Sequence, residues 1–156
     1  MAISSRFSVA VHILSLLEIS KNERLTSEII AGSVNTNSVV VRRIMGMLNK
    51  AGLINTSPGV AGAIISRPIS QITLLDVYLA VEVDLQDHLF SIHDKANPNC
   101  LVGKNIQHTL EQRFTQAQRA MENELANVTL DQIVSDLLVQ DSFIPSVPTT
   151  TNKEQL

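Results

Sequence analysis

The chain has one cysteine, no tryptophan and one tyrosine in 156 residues. A single thiol excludes an intramolecular disulfide and supplies too few thiolates for a cysteine-ligated zinc or iron–sulfur centre, so no resident cofactor is expected. Aromatic residues make up 3%, too few for the stacking platforms that hold single-stranded nucleic acid. No run of about 18 uncharged apolar residues occurs, so no membrane-spanning helix is expected. The apolar opening stretch carries Arg6 and His12 and has no charged leader before it. It reads as a buried helix rather than a signal peptide, which makes a cytoplasmic protein the expectation. There is no glycine-rich phosphate loop after a strand, no nucleophile elbow and no pair of catalytic carboxylates, so an enzyme is not expected. His88, His93 and His108, with Asp87, Asp94 and Cys100 nearby, match no standard zinc spacing, and no metal site is expected.

What is present is apolar bulk and an uneven charge distribution. Apolar residues reach 44%, enough for a core and too many for a disordered chain. The net charge of −3 hides a split. Residues 1–68 hold seven Lys/Arg against three acids, a net of +4, and residues 69–156 hold five against twelve, a net of −7. A basic half joined to an acidic half suggests that the first half meets a polyanion; chance clustering on a solvated surface is the alternative.

Helical spacing over residues 3–19, through Ile3, Phe7, Ala10, Val11, Leu14 and Leu17, predicts a first helix buried on much of its circumference, with His12 as a hydrogen-bonded core histidine. Thr26-Ser27-Glu28 caps a short helix over 28–33. Asn35-Thr36-Asn37 turns the chain into a third helix from about Ser38 to Ala51, which Gly52 ends. Two short helices around a tight turn form a helix-turn-helix. A strand at Leu53–Thr56, a turn at 57–62 and a strand at Ala63–Ser66 then form a hairpin, the order of a winged helix. Residues 71–83 read as a fourth helix capped at Thr73, and 84–104 as an irregular, possible sensor segment. A long helix follows from about Asn105 to Asn127, with the stripe Ile106, Leu110, Phe114, Ala117, Met121 and Leu125. Its simplest apolar partner is a second copy of itself, making a homodimer; packing against the first helix is the alternative. A short helix starting at Thr129-Leu130-Asp131 ends the fold. The expected class is therefore mainly α with a small β-wing. Its expected units are a winged-helix domain (1–83), a connector (84–104), a dimerisation and terminal helix unit (105–140) and a disordered tail (141–156).

The third helix separates its faces. Val41, Ile44, Met45 and Leu48 point to the core, while Asn37, Ser38, Val39, Val40, Arg42 and Arg43 lie toward the N-terminal end that meets base edges in such helices. Arg suits the two acceptors of guanine, Asn suits adenine, and valine suits the thymine methyl. Ser5 and Arg6 at the head of the first helix and Ser27 at the head of the second are candidates for phosphate. In the wing, which lacks Lys and Arg at its tip, the candidates are Ser57, the Gly59 amide and, at its foot, Arg67. The expected partner is double-stranded DNA with a palindromic operator, bound by a homodimer.

These segments resemble the bacterial winged-helix regulators typified by the iron–sulfur regulator IscR, the nitric-oxide sensor NsrR and the cysteine-metabolism repressor CymR. The resemblance lies in Ser4-Ser5-Arg6-Phe7, Ala10-Val11-His12-Ile13-Leu14, Thr26–Ala31, Val41-Arg42-Arg43-Ile44 and Pro58–Ala63. Asn97-Pro98-Asn99-Cys100-Leu101-Val102-Gly103 is similar to a cluster-free branch. The resemblance implies a winged-helix domain, a long dimerisation helix and repression of a few operons. Cluster-binding members carry three cysteines before the long helix where this chain has one, so the cluster is not carried over. Ala61 and Ala63 replace wing glycines.

Cys100, in the irregular segment just before the long helix, is a candidate redox sensor, its thiol acidified by helix amides and Lys104; an inert packed cysteine is the alternative. The leading reading is thus a DNA-binding repressor with a thiol or small-molecule input. The competing one is a protein-interaction module that has lost DNA binding.

Overall fold

A computed structural model describes residues 5–60, 62–82 and 89–142. Expectations on Ile3, Ser4, Ala61, Val83, Asp87, His88 and the tail beyond Ser142 lie outside the described residues. Among the described residues, six α-helices and one hairpin follow in the order α1 (Ser5–Ile19), α2 (Ser27–Val34), α3 (Ser38–Lys50), β1 (Ile54–Thr56), β2 (Ala63–Ile65), α4 (Leu74–Val81), α5 (Leu101–Ala126) and α6 (Leu130–Ser142).

Local chemistry explains most boundaries. The Thr26 hydroxyl accepts from the Ile29 amide at 3.3 Å and starts α2. Asn35, left-handed at φ 63°, stops it, a conformation Asn tolerates better than most residues. Asn37 Oδ1 accepts from the Val40 amide at 3.0 Å and starts α3. At the end of α3, Gly52 takes φ 76°. The Leu53 amide then donates back to the Leu48 carbonyl at 3.0 Å, closing the helix as a glycine terminator does. In the wing, Ile54, Asn55 and Thr56 pair antiparallel with Ile65, Ile64 and Ala63. The Val60 amide returns to the Ser57 carbonyl at 3.1 Å. Pro58 second and Gly59 third, the latter at φ 74°, suit a type II turn. The Ser66 hydroxyl donates to the Gly52 carbonyl, tying the foot of the wing to the end of α3.

A one-turn 3₁₀ helix, Ile69–Gln71, was not expected from the sequence and leads into α4. There Thr73 and Asp76 form a reciprocal capping box, which satisfies two otherwise orphaned amides. The α5–α6 junction is stitched to the same place: the Leu74 amide donates to the Val128 carbonyl and the Leu130 amide to the Ile72 carbonyl.

The core is built from Ala10, Ile13, Leu14 and Leu17 of α1, Val41, Ile44 and Leu48 of α3, and Val77 and Val81 of α4, with Leu130 and Val134 of α6. That last pair alters the expected division at 105–140: α6 belongs to the winged-helix core rather than to a separate unit with α5. It also runs to Ser142, into the segment expected to be disordered.

The long helix begins at Leu101, four residues before the expected Asn105. Its first turn admits residues 97–100 against it because position 103 lacks a side chain. A Cβ on Gly103 would stand 2.2 Å from the Asn97 carbonyl oxygen. Among the described residues, no helix is long and apolar enough to cross a membrane.

Candidate nucleic-acid interface

Helix α3 buries Val41, Ile44 and Leu48 and turns its other face outward beside the wing. Spacings of three and seven residues put those three on one stripe, so the intervening positions are set by geometry. Arg43 is exposed and has no ion pair among the described residues. Val39 is 57% exposed. Val40 departs from expectation: it is half-buried and packs on the core, because it lies one turn from Ile44. Met45 is likewise only half-buried. Asn37 is exposed, but its carboxamide oxygen is committed to the cap, leaving the nitrogen as its free donor.

Arg42 does not stand free. Its Nη1 donates to Ser27 Oγ at 3.1 Å and to Glu28 Oε1 at 3.3 Å. Ser27 Oγ in turn donates to Glu28 Oε2 at 3.3 Å. The Glu28 carboxyl is held below its ordinary pKa, chiefly by the amide at the head of α2; desolvation opposes this, and Ser27 and Arg42 add to the lowering. These residues border an open groove of about 450 Å³ between α3 and the wing, whose other walls include Met45, Thr56 and Val60. On the wing itself, Ser57 and Gly59 are exposed, and Val60 and Ile64 are 53% and 75% exposed.

The remaining candidates are spread wider. Ser5 is exposed at the head of α1. Arg6 is half-buried and forms an ion pair with Glu82 at 3.6 Å. The Arg67 guanidinium donates to Asp76 at 3.1 Å and to the Gln71 carbonyl at 3.3 Å, so it braces the α4 cap from the foot of the wing. Arg24 had no assigned role in the sequence. The structure sets its side chain beside the wing, with its Cγ 3.6 Å from where a Gly62 Cβ would be. Only the Gly62 turn, with φ at 103°, could have signalled that approach.

Away from this face, Cys100 is exposed at the N-cap position of α5. The Gly103 and then the Val102 amide lower its thiol pKa, against slight desolvation; the expected Lys104 is not among the causes. His12 is exposed, not in the core, and its Nε2 meets Ser33 Oγ at 2.8 Å.

A helix with an exposed cationic N-terminal half, flanked by a hairpin, can enter a major groove while the hairpin follows the backbone. Comparison with known proteins agrees with that geometry. Residues 3–136 match the Rrf2 family model, described as an iron-dependent transcriptional regulator. The chain belongs to the Rrf2 family. It is 50% identical over 135 residues to YwnA of Bacillus subtilis, named as an HTH-type transcriptional regulator, covering 86% of this chain and 98% of that one. A crystal structure of a protein described as DNA-binding superposes with a TM-score of 0.67 at 47% identity, over 83% of this chain and 98% of that one. The oxidised form of Staphylococcus aureus CymR shares the fold, with a TM-score of 0.64 at 20% identity over 86% and 96% of the two chains. This Rrf2 chain is accordingly a winged-helix, DNA-binding transcriptional regulator.

The family description invokes iron, and the donor set here does not fit a cysteine-ligated cluster. Cys100 is the chain's one thiol. Among the described residues, no three His, Cys, Asp or Glu side chains converge as metal ligands.

Proposed function

We propose that the chain acts as a homodimeric repressor that binds a palindromic operator in the cytoplasm, without a resident cofactor and without catalytic activity. In this reading, α3 reads the major groove through Arg42, Arg43 and Val39, and the wing meets the backbone through Ser57 and the Gly59 amide. Ser5 and Arg6 at the head of α1 serve phosphate contact. The exposed Arg43 and the net +4 of the first 68 residues support this division of labour.

The observation that carries the dimer is α5. It has 26 residues, about 39 Å at 1.5 Å per residue, and not one of them is buried. Ile106, Leu110, Phe114, Met121 and Leu125 are half-buried and Ala117 is exposed. A second α5 laid along that stripe would bury it and would set two α3 helices at a fixed spacing. Cys100, exposed at the head of the same helix, is where oxidation would alter the dimer.

The test is a gel shift with the duplex of the chain's own promoter, followed across salt. Affinity is expected to fall linearly in log–log form, because each neutralised phosphate releases counterions. An affinity insensitive to salt would contradict the reading.

A further inference from the structure

The hairpin carries no positive charge of its own. From Ile54 to Ser66 there is no Lys, Arg or His. Ser57 and the Gly59 amide can donate to a phosphate, but they neutralise none of its charge, and neutralised charge drives much of the affinity for a duplex. The fold brings a cation from elsewhere in the chain. The link between α1 and α2 passes through Arg24 and Leu25, and the returning arm of the wing lies on it. A Cβ on Gly62 would stand 3.6 Å from Arg24 Cγ, 3.7 Å from the Leu25 carbonyl oxygen and 4.0 Å from the Leu25 amide nitrogen. Gly62 takes φ 103°, a conformation open to glycine and rare for other residues, so this crossing is built into the turn. Leu25 is 5% exposed and belongs to the core. It also lines the groove between α3 and the wing. Arg24, next to that anchor in the chain, is exposed. The other cation of the link, Lys21, is paired with Glu18 at 3.4 Å.

We propose that Arg24 is the wing's phosphate-binding cation, lent by the α1–α2 link to a hairpin that has none. This rests on the reading of the α3–wing face as the one that meets DNA. The buried Leu25 and the crossing at Gly62 hold the arginine's stem at the wing, so its charge travels with the hairpin along the duplex backbone. Phosphate carries no sequence information. Arg24 therefore strengthens operator and random-sequence binding by the same factor, while α3 supplies the difference between them.

The experiment uses the full chain and two duplexes, one recovered by selection from random sequences and one a scramble of it. R24Q should weaken binding to both by about eightfold at 0.1 M salt, the worth of one counterion no longer released, and should lower the salt slope by about 0.9. The ratio of affinities between the duplexes and the melting temperature should stay unchanged. R24K keeps the charge and should keep the wild-type slope. R113Q removes an exposed arginine of α5 and should leave the slope as it is. An R24Q protein with wild-type affinity and slope would overturn the proposal. So would a loss confined to the selected duplex, since Arg24 would then read bases. A slope that R24K fails to restore would assign Arg24 to folding, and an equal change in R113Q would reduce the effect to net charge; either result overturns it. If the wild-type protein shows no salt slope on either duplex, the DNA-binding reading of this face fails first. If the wild type shows the slope and R24Q does not alter it, only the inference fails.

Discussion

Two regions of this chain solve the problem of burial differently. Helices α1, α3 and α4, with the short strand β1, close on one another and bury Ile13, Leu14, Ile44, Leu48 and Val77 almost completely. Helix α5 is twice as long as α3, at 26 residues against 13, and buries nothing. The first region is a finished core whose outer face is free to meet DNA. The second is an amphipathic helix whose apolar stripe is left half-covered by α4 and by Phe90, which stacks on Phe114 at 4.9 Å. A region that completes itself can evolve a reading surface. The region that does not complete itself is the one we propose as an interface.

That contrast can be broken at several points. The largest effect is expected from Leu110→Asp, which sets a charge in the middle of the α5 stripe. The mass should fall to one chain while circular dichroism stays helical, and DNA affinity should drop by about 100-fold or more, as the linkage of two half-sites is lost. An unchanged mass would mean that the stripe is not the interface. Next comes a matched pair of truncations. Leu14→Ala, in the closed core, should cost about 2–5 kcal/mol at any protein concentration. Leu110→Ala should instead make the melting temperature fall on dilution more steeply than in the wild type, because its contacts form only on association. Identical behaviour of the two would erase the distinction.

Smaller effects sharpen the picture of the reading face. Arg43→Gln should cost about 1–3 kcal/mol of DNA affinity by fluorescence anisotropy, with the mass unchanged. A loss of mass with it would place Arg43 in folding rather than recognition. Asp76→Asn removes the carboxylate that caps α4 and holds Arg67; it should cost about 1 kcal/mol in urea unfolding and spare DNA binding. Least in energy is Cys100. Its pKa is lowered by the Gly103 and Val102 amides, and the thiolate is the reactive form. Alkylation should therefore reach its plateau at lower pH than for an ordinary thiol of pKa about 8.5. A profile at or above that value would return Cys100 to an inert role.

Much of the fold was legible because it is written in local chemistry. Thr26, Asn37 and Thr73 cap the helices expected of them, and Gly52 and Gly59 take the positive φ that ends α3 and turns the wing. The spacing along α5 marked five half-buried positions, Ile106, Leu110, Phe114, Met121 and Leu125, but also Ala117, which is exposed. What was not legible depends on contacts between distant residues. Arg42 meets Glu28 fourteen positions away, so spacing within α3 could not show that it is restrained. Arg67 looked like a wing cation and is drawn to Asp76. Val40 looked exposed and turns to the core. The start of α5 at Leu101 follows from the approach of Asn97 to Gly103, a closeness that helix periodicity does not report. The membership of α6 in the first core is of the same kind, since Leu130 is joined to Ile72 by a hydrogen bond across the chain.

The account turns on whether α5 is covered by a second copy of the chain. Sedimentation equilibrium of the wild-type protein, alone and with its promoter duplex, asks this most directly. The expected result is a species of two 17.1 kDa chains in both cases, with two chains per operator. A species of one chain that binds the duplex with undiminished affinity would contradict the account.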